Sequence, residues 1–464
     1  MGCGGHGKAA WPEPNGDVQG TRSALQSSID AADVGRLRVA WRFSIPIRPR
    51  ESGVAAATPV VGDGVVYLQD LESNVYALRE STGQVLWRRQ FNAGNPGPNG
   101  LALDGDTVVG STDTTVFALA TSTGRVRWTH RILTPHESFV DIAPLVAGHL
   151  VYTATTGYGP GTRGAVYALD ERTGATRWKF DTIAGPWAHP DEAGGGGAWE
   201  TPTLSNGVLY IGTGNPLPWG GSRSRPNGGA YAGPARWTDS LLALDAKTGA
   251  VRFGDQVTPH DVRDHDFQNP PIVAGDLVIG SGKSGRVIAW RGSRRVWEQS
   301  VGTHRNDHGP LPVRITTVCP GLLGGVETPA AVAHGRVFVP VVDLCYAENA
   351  IGTAATSFTK VDPATGRGRL VALRLDDGHV EWQRRLPSPV FGCATVSDDV
   401  VLTSTYDGTL YAFRTSDGTT LWRAKARAGV NACPAVADGR MFVAAGVRNR
   451  KHAHLELVSY EVEP

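Results

Sequence analysis

The sequence has no apolar run of about 18 residues, the length that a helix needs to cross a bilayer. It also lacks an excess of either charge, since 45 basic residues stand against 44 acidic ones. A strongly basic surface for nucleic acid or for an anionic membrane is therefore not expected. The chain does not open with the basic and apolar stretches of a signal segment either, so we expect a soluble protein.

Cysteine is scarce, with five in the chain, and its placement bears on the cellular compartment. The terminus begins MGCGG, and a Gly-Cys pair with Cys3 before a small-residue tether resembles a bacterial lipoprotein cleavage point. A chance cysteine in a loose terminus is an equal alternative. Cys319, Cys345, Cys393 and Cys433 form an even set that suits an oxidising compartment. Cys393 and Cys433 occupy similar places in successive repeats, so we expect a disulfide there, with buried free thiols as the alternative.

Glycine is abundant, with 59 residues, and one pattern recurs along the chain. Its copies read VYALRESTGQVLW (75–87), VFALATSTGRVRW (116–128), VYALDERTGATRW (166–178), LLALDAKTGAVRF (241–253), LVALRLDDGHVEW (370–382) and LYAFRTSDGTTLW (410–422). Each copy predicts a β-hairpin, because an alternating apolar strand leads into a Thr-Gly or Asp-Gly turn and a short strand. Another hairpin signal precedes nearly every copy, so two hairpins make one four-stranded sheet.

Such a sheet cannot bury both of its faces alone, so the sheets must stack around a common axis. Eight aromatic residues end the repeats: Trp41, Trp87, Trp128, Trp178, Phe253, Trp297, Trp382 and Trp422. The sequence therefore predicts an all-β fold, an eight-bladed β-propeller of four-stranded antiparallel blades. The last repeat, 434–462, lacks a final strand, and we expect the N-terminal strand around Trp41 to complete it.

The predicted organisation is an N-terminal tether at 1–14 and a single propeller domain at 15–464, with insertions around 216–237 and 347–361. The periodic aromatic residues are expected to pack between blades. Function should therefore lie where the repeat is broken, between Trp178 and Phe253 and between Trp297 and Trp382.

The first break carries three motifs in a fixed order. They read GGGGAWETPTLSNGVLYIGTGNPLPWGG (194–221), SLLALDAKTGAVRFGDQVTPHDVRDHDF (240–267) and GSGKSGRVIAW (280–290). This run resembles the methanol and ethanol dehydrogenases that depend on pyrroloquinoline quinone (PQQ), and the similarity extends from 15–43 to 391–413. The resemblance implies PQQ and Ca²⁺ on the propeller axis and oxidation of an alcohol or sugar hydroxyl.

The same resemblance assigns the quinone contacts. Trp199 corresponds to the tryptophan that stacks on the quinone, and the glycines before it, including Gly197, permit close approach to a planar ligand. Lys283 corresponds to the basic residue that contacts and polarises the quinone oxygen. An ordinary turn beside a packing tryptophan, and a solvated surface lysine, are the alternatives.

The metal ligands and the base are also implied by the resemblance. Asn215 corresponds to a Ca²⁺ ligand, and its amide oxygen is a suitable hard donor, with a mere turn residue as the alternative. Asp264 corresponds to the general base beside the metal, which takes the alcohol proton. Asp261 and Asp266 flank this base, and either is a candidate for a further negative charge on Ca²⁺.

Several positions depart from the pattern of these dehydrogenases. Gly159 stands where the second Ca²⁺ carboxylate is expected, and Ala56 and Asn99 replace a glutamate and an arginine that contact the quinone. Arg263 replaces a tryptophan of the pocket wall. The adjacent cysteine pair that covers the quinone is absent, and so is a Cys-x-x-Cys-His haem motif. Electrons would therefore leave through a separate acceptor.

Three interpretations follow from these motifs. The first is a periplasmic or extracellular quinoprotein-like oxidoreductase that acts on a small alcohol or sugar, with Cys3 as a candidate lipid anchor. The second is a non-catalytic propeller scaffold similar to the outer-membrane assembly-factor lipoproteins, which the losses at Ala56, Asn99 and Gly159 favour. The third is an enzyme that uses other chemistry on the same scaffold, since a shared fold does not prove a shared function.

Overall fold

The computed structural model describes residues 10–48, 53–134, 137–159, 161–183, 194–228, 235–352, 361–449 and 453–463. The predicted lipoprotein cysteine, Cys3, lies outside these residues, as do parts of both predicted insertions, 229–234 and 353–360. No helix in the described ranges is long and apolar enough to cross a membrane. The regular helices described are two short 3₁₀ turns, Val34–Arg36 and Pro363–Thr365.

Eight antiparallel sheets of the repeat form a ring of blades, which confirms the predicted β-propeller. Blades 1 to 4 are built from Val60–Gly62, Val65–Gln69, Val75–Arg79 and Val85–Arg89; Leu101–Asp104, Thr107–Ser111, Thr115–Ala120 and Val126–Arg131; Leu145–Ala147, Leu150–Thr155, Ala165–Asp170 and Thr176–Asp181; and Thr203–Ser205, Val208–Gly212, Ser240–Asp245 and Val251–Gln256. Blades 5 to 8 are built from Ile272–Ala274, Leu277–Ser281, Arg286–Arg291 and Arg294–Ser300; Ala331–Ala333, Arg336–Asp343, Arg367–Arg374 and Val380–Leu386; Ala394–Ser397, Val400–Ser404, Thr409–Arg414 and Thr420–Lys425; and Ala435–Ala437, Arg440–Ala445, Glu456–Val462 and Leu37–Ser44.

The ring closes through the strand nearest the N-terminus. Leu37–Ser44 pairs antiparallel with Glu456–Val462 and completes blade 8, as the sequence predicts. Among the described residues, two pairs of short strands lie outside the regular blades: Gly194–Gly195 with Pro216–Leu217, and Thr316–Val318 with Tyr346–Glu348. The short strand Ser23–Ala24 is added parallel to Ala394–Ser397 of blade 7.

Six of the blade junctions share one interlock between a tryptophan and a glycine turn. The indole N–H of the outer tryptophan donates to a backbone oxygen of the next blade at 2.6–3.0 Å. The glycine of that blade's turn, at a φ between 65° and 74°, lies against the same indole. A Cβ on Gly174, for example, would lie 2.5 Å from the ring of Trp128, so a side chain is excluded there. The periodic tryptophans therefore pack between blades, as the sequence predicts.

The two remaining junctions are held differently. Between blades 4 and 5 the aromatic residue is Phe253, and Asp255 instead pairs with Arg295 at 2.5 Å and accepts from the Trp290 indole at 2.8 Å. Between blades 7 and 8 a disulfide joins Cys393 to Cys433, which confirms the predicted bridge between neighbouring blades. A second disulfide, Cys319–Cys345, lies beside the two-stranded sheet that Thr316–Val318 forms with Tyr346–Glu348.

The prediction that residues 1–14 form a tether is wrong for residues 10–14, the part of this segment that the structure describes. Trp11 is only 1% exposed, and its backbone pairs with Val61 of blade 1. The ring of Trp11 also lies against Gly16 and under the guanidinium of Arg22, which is itself buried. Residues from about 10 onward therefore belong to the propeller, because burial of a large ring and strand-like pairing hold them to it.

Candidate active site

Four polar side chains from blades 4 and 5 converge beside the axis. Asn215 follows strand Val208–Gly212, Asp264 and Asp266 lie in the connection to blade 5, and Lys283 follows strand Leu277–Ser281. The Asn215 amide donates to Asp264 Oδ1 at 2.6 Å, and Lys283 Nζ lies 2.9 Å from Asp264 Oδ2. Lys283 Nζ also lies 2.5 Å from Asp266 Oδ2, and the Asn215 backbone N–H donates to Asp266 Oδ1 at 2.6 Å. We call these four residues the acidic cluster.

The loop that carries Asp264 is held by Asp261. One oxygen of Asp261 accepts from the backbone N–H of Arg263 and the other from that of His265, at 2.8 and 2.7 Å. Asp264 sits between those two residues at a φ of 62°, a left-handed conformation that an aspartate tolerates better than a bulky residue does. Asp261 therefore shapes the loop.

Arg263, which replaces the expected tryptophan, binds the loop to the connection between blades 5 and 6. Its guanidinium donates to the backbone oxygens of Asn306, His308 and Gly309, at 2.7, 3.0 and 2.6 Å. The Tyr346 hydroxyl donates to the backbone oxygen of Arg263 at 3.0 Å. Arginine at position 263 therefore provides hydrogen bonds between two loops where the expected tryptophan would provide an apolar surface.

Trp199 lies next to the acidic cluster. A Cβ on Gly214 would lie 2.4 Å from the Trp199 indole and 2.8 Å from Asp266 Oδ1, so this glycine separates the two. Tyr158 stacks on the indole, with ring centroids 5.7 Å apart. Gly197 is predicted to allow close approach of the ligand. In the structure it packs against the backbone of residues 156–157, which a Cβ at this position would approach to 2.8 Å.

Burial sets the protonation of the acidic cluster. Removal from water raises the pKa of Asp264 to about 7, against the opposing attraction of Lys283. Between two carboxylates, Lys283 has a pKa well above its ordinary value, although its burial alone would lower it. Nearby Asp239 is buried, and neither of its carboxyl oxygens has a hydrogen bond within the part of the chain that the structure describes. Desolvation raises the pKa of Asp239 well above its ordinary value, and the neighbouring aspartates raise it further.

An axial cavity of about 810 Å³ extends across the ring from Trp199. Residues of most blades and of the N-terminal segment line it, among them Asn15, Thr58, Glu200, Thr201, Glu327, Thr328, Phe391, Tyr406, Asn431 and both cysteines of the Cys393–Cys433 disulfide. Ala56 and Asn99, two of the departures predicted from the sequence, also face this cavity. Gly159 is not among its lining residues, and the nearest neighbour to a Cβ there is Thr162.

The lining of the axial cavity includes polar atoms without partners. Asn99 Oδ1, Glu327 Oε1 and Thr328 Oγ1 are buried, and none has a hydrogen bond within the described residues. Desolvation raises the pKa of Glu200 and of Glu327 to about 8, so both are largely neutral at pH 7. Buried polar atoms are normally hydrogen-bonded, so this lining is suited to a polar occupant.

The acidic cluster does not fit a divalent cation. Lys283 takes one oxygen of each carboxylate, and Asn215 turns its amide nitrogen, not its oxygen, toward Asp264. Asp261, a predicted ligand, spends both of its oxygens on backbone N–H groups. No group of three or more His, Cys, Asp or Glu side chains in the described ranges could hold a metal ion. The Ca²⁺ ligand set expected at Asn215, Asp261, Asp264 and Asp266 is therefore not assembled here.

A planar quinone fits better than the metal does. The cavity is large enough for a three-ring ligand, Trp199 borders it, and the unpartnered polar atoms offer hydrogen bonds. Among the described residues that line the cavity there is no lysine or arginine to pair with the carboxylates of PQQ. The neutral forms of Glu200 and Glu327 can instead donate hydrogen bonds to a carboxylate, and no fixed negative charge on these two side chains opposes it.

Sequence reasoning missed four residues of this region: Glu200, Glu327, Tyr158 and Arg22. Glu200 follows Trp199 directly, which was the one available signal. Arg22 is fully buried beneath the N-terminal segment, bonded to backbone oxygens of Ala394 and Pro434, and desolvation lowers its pKa to about 9 while Glu200 opposes the shift.

Comparisons with known proteins agree with this fold. A family model described as outer membrane protein assembly factor BamB matches residues 26–186, 71–313 and 366–457. A quinohemoprotein alcohol dehydrogenase from Comamonas testosteroni is 28% identical over 312 residues, 60% of this chain and 43% of that protein. The chain thus spans less than half the length of this curated relative.

Two solved structures are also similar. The crystal structure of quinohemoprotein alcohol dehydrogenase from Comamonas testosteroni has a TM-score of 0.83 at 23% identity and covers 98% of this chain and 80% of that one. The structure of BamB from Moraxella catarrhalis has a TM-score of 0.59 at 14% identity, with 92% and 97% covered. At such identities the likeness shows the fold alone.

Proposed function

Since the chain belongs to the family whose model is described as outer membrane protein assembly factor BamB, and since it is similar to quinohemoprotein alcohol dehydrogenases, we propose that it is a quinoprotein-like oxidoreductase. Its substrate is an alcohol or a sugar hydroxyl, and its cofactor is PQQ. One observation carries the proposal: a buried Asp264, held by Asn215 and Lys283, lies beside the tryptophan that borders the axial cavity. A pure scaffold has no need of this arrangement.

Asp264 acts as the general base in this proposal. Its pKa of about 7 leaves a substantial ionised fraction at neutral pH, which is the range in which a base works efficiently. The amide of Asn215 and the ammonium of Lys283 each bind one carboxylate oxygen and fix the plane of the group. The chain thus holds a proton acceptor in one orientation.

Trp199 and the cavity wall bind the reactants. The indole offers a flat apolar face, and the unpartnered acceptors at Asn99 and Glu327 orient polar groups on the ligand. When bound, PQQ supplies the chemistry of accepting an electron pair from the substrate carbon.

The compartment and the electron acceptor belong to the same proposal. Two disulfides are formed, and disulfides persist outside the reducing cytoplasm, which supports a periplasmic or extracellular protein. A lipid anchor at Cys3 is proposed from the terminal sequence alone. A separate electron acceptor is proposed because the sequence has no Cys-x-x-Cys-His motif.

The test combines quinone binding with dye reduction by short alcohols. We expect the full chain to bind PQQ at micromolar concentration, and Asp264→Asn to retain binding while losing about 10²- to 10⁴-fold in turnover. Asparagine is suited to the left-handed conformation at this position, so the variant should fold. Asp276→Asn, at an exposed pair with Arg291, is the matched control and should keep full activity. Full turnover in Asp264→Asn would contradict the base assignment.

A scaffold that binds other proteins is the second candidate. The family model described as BamB favours it, and so do Ala56 and Asn99, which face the cavity in place of the expected quinone-contacting glutamate and arginine. Under this reading the protein binds no quinone at micromolar concentration, with or without added Ca²⁺. That single result separates the two functions.

A further inference from the structure

We propose that the ammonium of Lys283 takes the place of a divalent cation, so that the acidic cluster works without a metal. The idea concerns the site of the proposed oxidoreductase and rests on that function for its catalytic meaning. The occupation of the metal position by Lys283 is a property of the chain alone and can be tested without turnover.

The first argument is the pairing of the carboxylate oxygens. Asp264 receives Asn215 on one oxygen and Lys283 on the other, and Asp266 receives the Asn215 backbone and Lys283 in the same way. All four oxygens that could bind a cation therefore already have a donor. A metal would have to displace Lys283 and rotate the amide of Asn215.

The second argument is the balance of charge. Lys283 contributes one positive charge between two carboxylates. The side chains of Lys283, Asp264 and Asp266 are only 5%, 5% and 1% exposed. Ca²⁺ is bound by six to eight oxygen ligands in proteins, typically with several carboxylates. Gly159 stands where a further carboxylate is expected, so a Ca²⁺ ion here would lack one charged ligand. The single positive charge of Lys283 does not require that carboxylate.

The third argument comes from the surrounding groups. Asp261 is committed to two backbone N–H groups, so neither of its oxygens is turned toward the cluster. Lys283 lies within ion-pair distance of the carboxylates of both Asp264 and Asp266, at 2.9 and 2.5 Å. The described residues thus shape this site for one monovalent cation.

The experiment measures Ca²⁺ binding and thermal stability of the quinone-free full chain. Wild-type protein should show no Ca²⁺ binding in this cluster by calorimetry, and its thermal midpoint should be the same in EDTA and in millimolar Ca²⁺. Lys283→Met should have a lower midpoint in EDTA, because two buried carboxylates lose their counterion. Ca²⁺ should raise that midpoint by several degrees, since binding to the native state stabilises it. Lys425→Met, at an exposed pair with Asp407, is the control and should gain no response.

Wild-type Ca²⁺ binding that Asp266→Asn abolishes would overturn the proposal, whereas binding that Asp266→Asn leaves intact lies elsewhere and supports it. If Lys283→Met does not fold, the wild-type titration and its Asp266→Asn counterpart still decide the question. PQQ titration in EDTA separates this inference from the proposed function. PQQ binding that requires Ca²⁺ overturns the metal-free site but keeps the quinoprotein. No PQQ binding under either condition, with no Ca²⁺ binding in the cluster, removes the quinoprotein and keeps the lysine in the metal position.

Discussion

The acidic cluster and the lining of the axial cavity differ in how their polar atoms are satisfied. In the acidic cluster, Asp264 and Asp266 have a donor on every oxygen. In the cavity lining, Asn99, Glu327 and Thr328 present buried oxygens with no partner within the described residues. The chain itself satisfies the carboxylates of the cluster, whereas these oxygens of the lining need an occupant.

The difference follows from the cost of burial. A buried charge without a partner is strongly destabilising, so the chain matches Asp264 and Asp266 with Lys283. A buried neutral group without a hydrogen bond costs about 1–3 kcal/mol, which a large protein can tolerate where a ligand repays it. We therefore expect substitutions in the acidic cluster and in the cavity lining to have opposite effects on stability.

The largest effect is expected for Asp266→Asn. Removal of one carboxylate from a buried pair leaves Lys283 with half of its compensation, and we expect a loss of about 3–5 kcal/mol. The measurement is the free energy of unfolding in denaturant, followed by tryptophan fluorescence. Asp276→Asn, which breaks an exposed pair, should change stability by less than about 1 kcal/mol. Equal stability of the two variants would contradict the proposed difference between the acidic cluster and the cavity lining.

A smaller effect, which depends on pH, is expected for Glu327→Gln. The folded-state pKa of Glu327 is about 8, above that of an unfolded glutamate. The stability gained from keeping it neutral is therefore complete in acid and is lost as pH rises through about 8. Glutamine cannot ionise, so the variant should lose less stability than the wild type in thermal melts from about pH 5 to pH 9. Glu463→Gln, at an exposed side chain, should follow the wild type, and parallel curves for Glu327→Gln would contradict the raised pKa.

The smallest effect is expected for Thr328→Val. The hydroxyl of Thr328 has no partner, so a methyl group of similar shape should leave stability unchanged or raise it by up to about 1 kcal/mol. Thr201→Val is the matched variant on the same cavity, because the Thr201 hydroxyl donates to the backbone oxygen of Ala143 at 3.0 Å. That variant should lose about 1 kcal/mol. Chemical denaturation of both measures the difference, and a loss for Thr328→Val would reveal a missed partner.

The propeller was predictable because its signal is repeated. Each Thr-Gly turn and terminal aromatic indicates the same hairpin, so errors in one copy are corrected by the others. The strand around Trp41 was predicted to complete the last blade because the repeat lacked a strand at one end and had one to spare at the other. The tether boundary was wrong because Trp11 lies outside any repeat, and its burial is a tertiary contact without a local pattern.

The acidic cluster was predictable as a set of neighbours but not as an arrangement. The resemblance to known motifs brought Asn215, Asp264 and Lys283 together, and in the structure Asn215 and Lys283 each bind one oxygen of Asp264. The link from Lys283 to Asp266 depends on the path of two loops, which no sequence spacing specifies. Glu200 and Glu327 were missed because a single glutamate in a loop resembles any solvated one.

The junction between blades 4 and 5 has a mechanical consequence. The tryptophan interlock that fastens six other junctions is missing there, and the Asp255–Arg295 pair stands in its place. Asn215 and Asp264 are carried on the blade 4 side of this seam and Lys283 on the blade 5 side. Any increase in the distance between blades 4 and 5 would move the Lys283 ammonium away from its carboxylates. The geometry of the acidic cluster therefore depends on how closely these two blades pack.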